Sequence, residues 1–168
     1  PLTLNLEGHG RQAEAVRPGL ELSRTVGWLT SLYPLYLPRH EDPTATRDAV
    51  LAKRNRVQAD GGLSYGVLRF LHGESLPGLG PVTLNYLGQY RVSSDARFTP
   101  VAGGGTPQAL ENPIAAPLTV NAHIANGVLH VDWLFSAHEY DATSVAALSD
   151  RFISALHGLL DGAATEAV

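Results

Sequence analysis

Apolar and polar residues alternate over positions 2–6, where Leu2, Leu4 and Leu6 are separated by Thr3 and Asn5. A period of two puts the three leucines on one side of a short, half-buried strand. The alternation runs into Glu7-Gly8-His9-Gly10-Arg11, where two glycines are expected to end the regular element. Residues 24–37 (RTVGWLTSLYPLYL) are rich in strand formers and predict a strand, then an extended segment around Pro34. A helix should follow. Asp42 can cap it, Pro43 or Thr44 suits its first turn, and Val50, Leu51, Arg54 and Val57 fall on neighbouring rungs. Gly61-Gly62 is its expected end.

Residues 64–71 (SYGVLRFL) fit a strand or a helix, and residues 73–80 (GESLPGLG) are turn-rich. From Pro81 to Tyr90 the pattern is again that of a strand, with Val82, Leu84 and Tyr86 facing one way and Thr83 and Asn85 the other. Residues 93–117, with their Ser, Gly and Pro, predict a long loop. Asn126-Gly127 is the preferred pair for a type I′ hairpin turn. Folding there sets Ile124 against Leu129, Ala122 against Val131, Val120 against Trp133 and Leu118 against Phe135, all apolar and on one face. The other face sets His123 against His130 and Asn121 against Asp132. Asp141 can then cap a helix running to about Leu160, with Val145, Leu148, Phe152, Leu156 and Leu159 as its apolar stripe. Mixed elements with at least one antiparallel hairpin predict an α/β sandwich, a sheet covered by helices.

Composition narrows the function. The chain has 168 residues, a size that suits one domain. A formal net charge of -4 argues against nucleic-acid binding, which needs a basic surface to displace counterions. No apolar run approaches the length of a membrane span. Cys 0 excludes disulfides, thiolate zinc sites and cysteine nucleophiles, and it suits the cytosol. Met 0 and the opening PLTLNLEGHG, already inside an alternating pattern, lead us to expect that Pro1 marks a cut within a longer polypeptide.

Four constellations bear on chemistry. Residues 62–66 (GLSYG) match the G-x-S-x-G elbow, but the pattern needs a strand before the serine, and here a helix and two glycines precede it. His123 and His130, with Asp132 beyond, could hold zinc, yet no third ligand is evident, and a wet polar face is the simpler reading. Gly103-Gly104-Gly105 lacks the Gly-Lys-Ser/Thr ending of a phosphate loop. Glu7, on a loop opened by glycines at a strand end, stands where a general acid or base can meet a substrate, although Glu and Arg in a turn commonly form a surface ion pair. Lys53, Arg54 and Arg56 make the first long helix basic, a pattern that most simply describes a solvated face.

Residues 6–11 (LEGHGR), 23–34 (SRTVGWLTSLYP), 65–71 (YGVLRFL) and 84–89 (LNYLGQ) resemble, in order and spacing, the motifs of epimerization domains of nonribosomal peptide synthetases. The resemblance covers nearly the whole chain, and the EGHGR box separates epimerization from the related condensation domains. It implies a chloramphenicol-acetyltransferase-like two-layer sandwich, with two α/β lobes meeting in a V around a tunnel. This chain resembles the C-terminal lobe; the H-H-x-x-x-D-G signature belongs to the N-terminal lobe, and no two histidines are adjacent here.

The implied activity is L-to-D inversion at the α-carbon of an aminoacyl or peptidyl thioester. The substrate would be presented on the phosphopantetheine arm of a peptidyl carrier domain. No cofactor or metal is implied, and the partners are the N-terminal lobe and the carrier domain. By the resemblance Glu7 is one acid/base group, and the histidine of the other lobe is the second. Asn85 and Tyr86, in the NYLGQ box, would position substrate or stabilise the enolate. His9 and Arg11 would fix the Glu7 loop by local hydrogen bonds. Leu29 and Leu84 stand where the family usually has Phe, and Gln12 where it has an acidic residue. A condensation-type or non-catalytic carrier-binding lobe, and a hydrolase using Ser64, are the competing readings.

Overall fold

The computed structural model describes residues 2–11, 13–90, 109 and 112–166. Five strands form one mixed sheet, ordered β2-β1-β3-β4-β5. They are β1 (Leu2–Gly8), β2 (Ser31–Leu37), β3 (Val82–Tyr90), β4 (Leu118–Ala125) and β5 (Val128–Phe135). β1, β3 and β4 run parallel, while β2 and β5 pair antiparallel at the two edges. The helices are α1 (Ala13–Val16), α2 (Pro43–Gln58), α3 (Leu63–Gly66) and α4 (Ala142–Glu166); a π-helical turn, Val67–Leu71, continues α3.

The hairpin forms in the anticipated register, from Leu118 opposite Phe135 to Ala125 opposite Val128. Asn126 and Gly127 both have positive φ, 52° and 83°, as a type I′ turn requires. α2 begins as its sequence indicates. The Asp42 carboxylate accepts from the amides of Thr44 (3.0 Å) and Ala45 (3.2 Å), and Pro43 occupies the first turn. The Asp141 carboxylate likewise accepts from the Ser144 amide at 2.9 Å and caps α4, which runs a few residues past Leu160.

Three expectations are corrected. β1 does not stop before Glu7; it carries Glu7 and Gly8 in antiparallel pairing with Leu32 and Ser31. The strand expected over 24–37 starts only at Ser31, because the carbonyls of Leu22 and Thr25 are taken by the Arg11 guanidinium and hold the preceding segment as a loop. Pro34 lies inside β2, where an edge strand tolerates the missing donor. Residues 64–71 resolve as helical. Most of the expected 93–117 loop, with Gly103-Gly104-Gly105, lies outside the described residues, as does Gln12.

Helices cover one face of the sheet. Leu4, Leu6, Leu35, Val82, Leu84, Leu118, Val120 and Trp133 share that face by register. Phe152 of α4 meets the Trp133 ring edge-on at 5.7 Å, and Val145 is buried. The opposite face is polar along its centre, through Asn5, Thr83, Asn85, Thr119 and Asn121. Asn5, 1% exposed, ties the middle strands together. Its Nδ2 donates to the Gly80 carbonyl (2.8 Å) and the Thr83 hydroxyl (3.1 Å), and its Oδ1 accepts from the Gly80 amide (2.7 Å).

Candidate functional site

The ladder between β1 and β3 ends at Leu6 opposite Leu84. The next residues, Glu7 and Asn85, are therefore the first beyond the point where two parallel strands separate. Such carboxyl ends, where neighbouring parallel strands part, are where open α/β sheets bind ligands. A concavity of about 730 Å³ lies here, and Glu7, Asn85 and Tyr86 all line it. Its floor is apolar, with Leu4, Leu6 and Leu84 from the sheet and Val50 from α2.

The motif glycines are explained by backbone approach. A Cβ at Gly8 would lie 2.7 Å from the Ser31 hydroxyl and 3.1 Å from the Gly61 carbonyl. At Gly10, φ is +64° and a Cβ would lie 1.5 Å from the Leu29 carbonyl oxygen. Only glycine lets the loop after Glu7 pass this close to its neighbours. The His9 ring accepts the Arg11 amide at Nδ1 (3.0 Å), and Arg11 donates to the Leu22 (2.8 Å) and Thr25 (3.0 Å) carbonyls. Both residues thus make the local hydrogen bonds expected of them. Glu7 is exposed and, among the described residues, has no ion-pair partner; the anticipated surface pair with Arg11 is not formed.

The NYLGQ box has a comparable local cause. The β3–β4 register shifts between Tyr86 and Gln89, so β3 carries an extra residue there relative to β4. Gly88, with φ +91°, allows this bulge directly after Asn85 and Tyr86. Bulges of this kind bend a strand and re-aim its side chains beside active sites.

Among the further residues that line the concavity, and that sequence reasoning did not assign to it, are Trp28, Tyr33 and Arg54. Burial pushes the Tyr33 phenol above its usual range and the Asp60 charge adds to this, although nearby Arg54 opposes both; its hydroxyl is a neutral donor at pH 7. Trp28 lies in the 23–34 motif, which was the available signal. Arg54 looked like part of a solvated basic face, and only the packing of α2 brings it to the cavity.

The competing sites fare differently. Ser64 lies in the first turn of α3, after a helix and a glycine turn, with no strand directly before it. Its hydroxyl and amide, with the Gly62 amide, donate to the Asp60 carboxylate. Partial burial works to raise Asp60, but these donors prevail and hold it below the usual range. Ser64 is a capping partner, and the nucleophile elbow is absent. The His123 and His130 rings stack at 4.9 Å and 9°, with Tyr90 edge-on to His123. Among the described residues no group of three or more His, Asp or Glu could hold a metal. Lys53 donates to the Tyr36 carbonyl at 2.7 Å. No helix among the described residues is long and apolar enough to cross a membrane.

No family model matches the chain. It is 35% identical over 171 residues to a linear gramicidin synthase protein of Brevibacillus parabrevis, covering 94% of this chain and 3% of that protein. Surfactin synthase subunit 1 of Bacillus subtilis is 35% identical over 162 residues, covering 90% and 4%. The chain therefore spans a small part of the curated relatives it matches. Among solved structures, the epimerization domain from the third module of tyrocidine synthetase B superposes with a TM-score of 0.81 at 27% identity, over 96% of this chain and 37% of that one. The first condensation domain of the CDA synthetase shares the fold, with a TM-score of 0.54 at 18% identity over 91% and 33%. This five-stranded mixed sheet accounts for about one lobe of those domains. In sequence and fold the chain belongs to the condensation-domain superfamily of nonribosomal peptide synthetases, as a C-terminal lobe.

Proposed function

We propose that this lobe supplies one wall of an epimerization site that inverts the α-carbon of an aminoacyl or peptidyl thioester carried on phosphopantetheine. The observation that carries this is the meeting of Glu7, Asn85 and Tyr86 at one concavity, where β1 and β3 separate. A thioester acidifies its α C–H. A base on one wall takes that hydrogen as a proton, and the electron pair moves onto the thioester oxygen as an enolate. An acid on the opposite wall returns a proton to the other face of the carbon, and the oxygen's electron pair reforms the carbonyl. Glu7 is one of the two acid/base groups. Asn85 donates to the enolate oxygen through its amide, and Tyr86 positions the substrate.

The second group lies on an N-terminal lobe, so residues 1–168 alone do not epimerise. The partners are that lobe and a peptidyl carrier domain in the cytosol; the reaction needs no bound cofactor. Glu7→Gln in a two-lobe domain tests this. Solvent deuterium incorporation at the α-carbon of carrier-bound substrate should fall by about 10²-fold or more. Exchange at the wild-type rate removes Glu7 from the chemistry. A wild-type domain that forms peptide bonds without exchange marks a condensation-type lobe, and one that only binds the carrier marks a non-catalytic one.

A further inference from the structure

Trp28 is 89% exposed, yet it borders the concavity. A large indole left in water is usually mobile, but this one sits on a segment fastened to the strand that carries Glu7. Arg11 donates from one nitrogen to the carbonyls of Leu22 and Thr25, and Gly10 lies against the carbonyl of Leu29. The fastenings bracket Trp28 on both sides in sequence. Together they hold an aromatic face beside an apolar floor of Leu4, Leu6 and Leu84, in the concavity that Glu7 also lines.

We propose that Trp28 is a specificity-determining contact for a large apolar side chain on the acyl group, and that Arg11 is its positioning residue. An indole face and leucine side chains gain from covering an aromatic or long aliphatic group and gain nothing from glycine. Arg11 itself is no part of the lining; its Nη1 donates to two main-chain acceptors of the segment that carries Trp28. The identity of the acyl group as substrate rests on the epimerization reading, but recognition of its side chain is measurable without turnover.

The test uses residues 1–168 carrying Trp133→Phe, which leaves Trp28 as the single tryptophan of the two in the chain. The probes are L-phenylalanyl-aminopantetheine and glycyl-aminopantetheine, in which an amide replaces the thioester. The phenylalanyl probe should quench Trp28 emission saturably and bind about tenfold tighter than the glycyl probe. Arg11→Met should lower Trp28 fluorescence anisotropy and weaken the phenylalanyl probe about fivefold, with the glycyl probe nearly unchanged. Arg11→Lys should restore part of both signals. Trp28→Ala, followed by calorimetry, should erase the preference between probes.

Equal affinity for the two probes, or no binding of either, overturns the assignment of Trp28. Unchanged anisotropy and affinity in Arg11→Met overturn the assignment of Arg11. These results are separate from the Glu7→Gln exchange result. Loss of exchange with no probe preference would keep the epimerization reading and remove this one.

Discussion

Glu7 and Asn85 each stand one residue beyond the last rung joining their strands, Leu6 opposite Leu84. Had the ladder continued, a carboxylate and a carboxamide would be cross-strand neighbours facing the same way. The strands instead part at this point, and both residues line a shared concavity. Two motifs far apart in sequence are thereby joined by strand register.

That alignment separates the roles of Asn85 and Tyr86. Alternation along β3 points them to opposite faces, with Asn85 on the Glu7 side. Asn85→Ala in a two-lobe domain should lower the exchange rate at saturating substrate by about 10²-fold, as loss of an oxyanion donor does. Tyr86→Phe should cost less than about tenfold, the worth of one neutral hydrogen bond. Deuterium incorporation followed by mass spectrometry reads both.

Asn5 should carry more stability than any other polar residue of β1. Asn5→Ala removes three hydrogen bonds and strands the Gly80 amide and carbonyl and the Thr83 hydroxyl in a buried site. A loss of roughly 2–4 kcal/mol is expected, read as a lower urea midpoint with little change in slope.

The two motif glycines should differ in cost. Gly10→Ala meets both a positive φ and the Leu29 carbonyl oxygen, whereas at Gly88 nothing lies within 4 Å and only φ +91° opposes a side chain. Gly10→Ala should cost roughly 3 kcal/mol or more and Gly88→Ala about 1 kcal/mol. Urea denaturation of the two variants tests the ordering.

Acid should weaken the turn between α2 and α3. Burial works to raise the Asp60 carboxyl, but the Ser64 hydroxyl and the Gly62 and Ser64 amides hold it below its ordinary 3.8. The unfolded chain therefore takes up the proton first. The stabilisation is complete above the unfolded value and is lost as pH falls through 3.8 toward the lower folded value. Wild type should exceed Asp60→Asn in melting temperature at pH 7, and the gap should narrow below about pH 4. Ser64→Ala should move that narrowing to higher pH.

Local signals were legible wherever neighbours in sequence act on each other. The Asn126-Gly127 turn set the β4–β5 register because one pattern of alternation had to match on both strands. Asp42 and Asp141 announced helix starts because a cap acts within three residues. The 24–37 segment misled because its strand formers are overruled at 24–30 by an arginine 11 and 14 residues from the carbonyls it binds. Residues 64–71 stayed open because an eight-residue apolar run fits either period.

The order of residues by itself determined the caps, the hairpin turn and the β3, β4 and β5 strands, and through four ordered motifs the kinship with the condensation-domain superfamily, because these depend on short-range sterics and on retained sequence. Only tertiary structure decided that Glu7 lies within β1 and that Asn85, Trp28, Tyr33 and Arg54 line the same hollow as Glu7. Those relations depend on parallel pairing across a long crossover and on the packing of α2. No local pattern encodes where such distant segments meet.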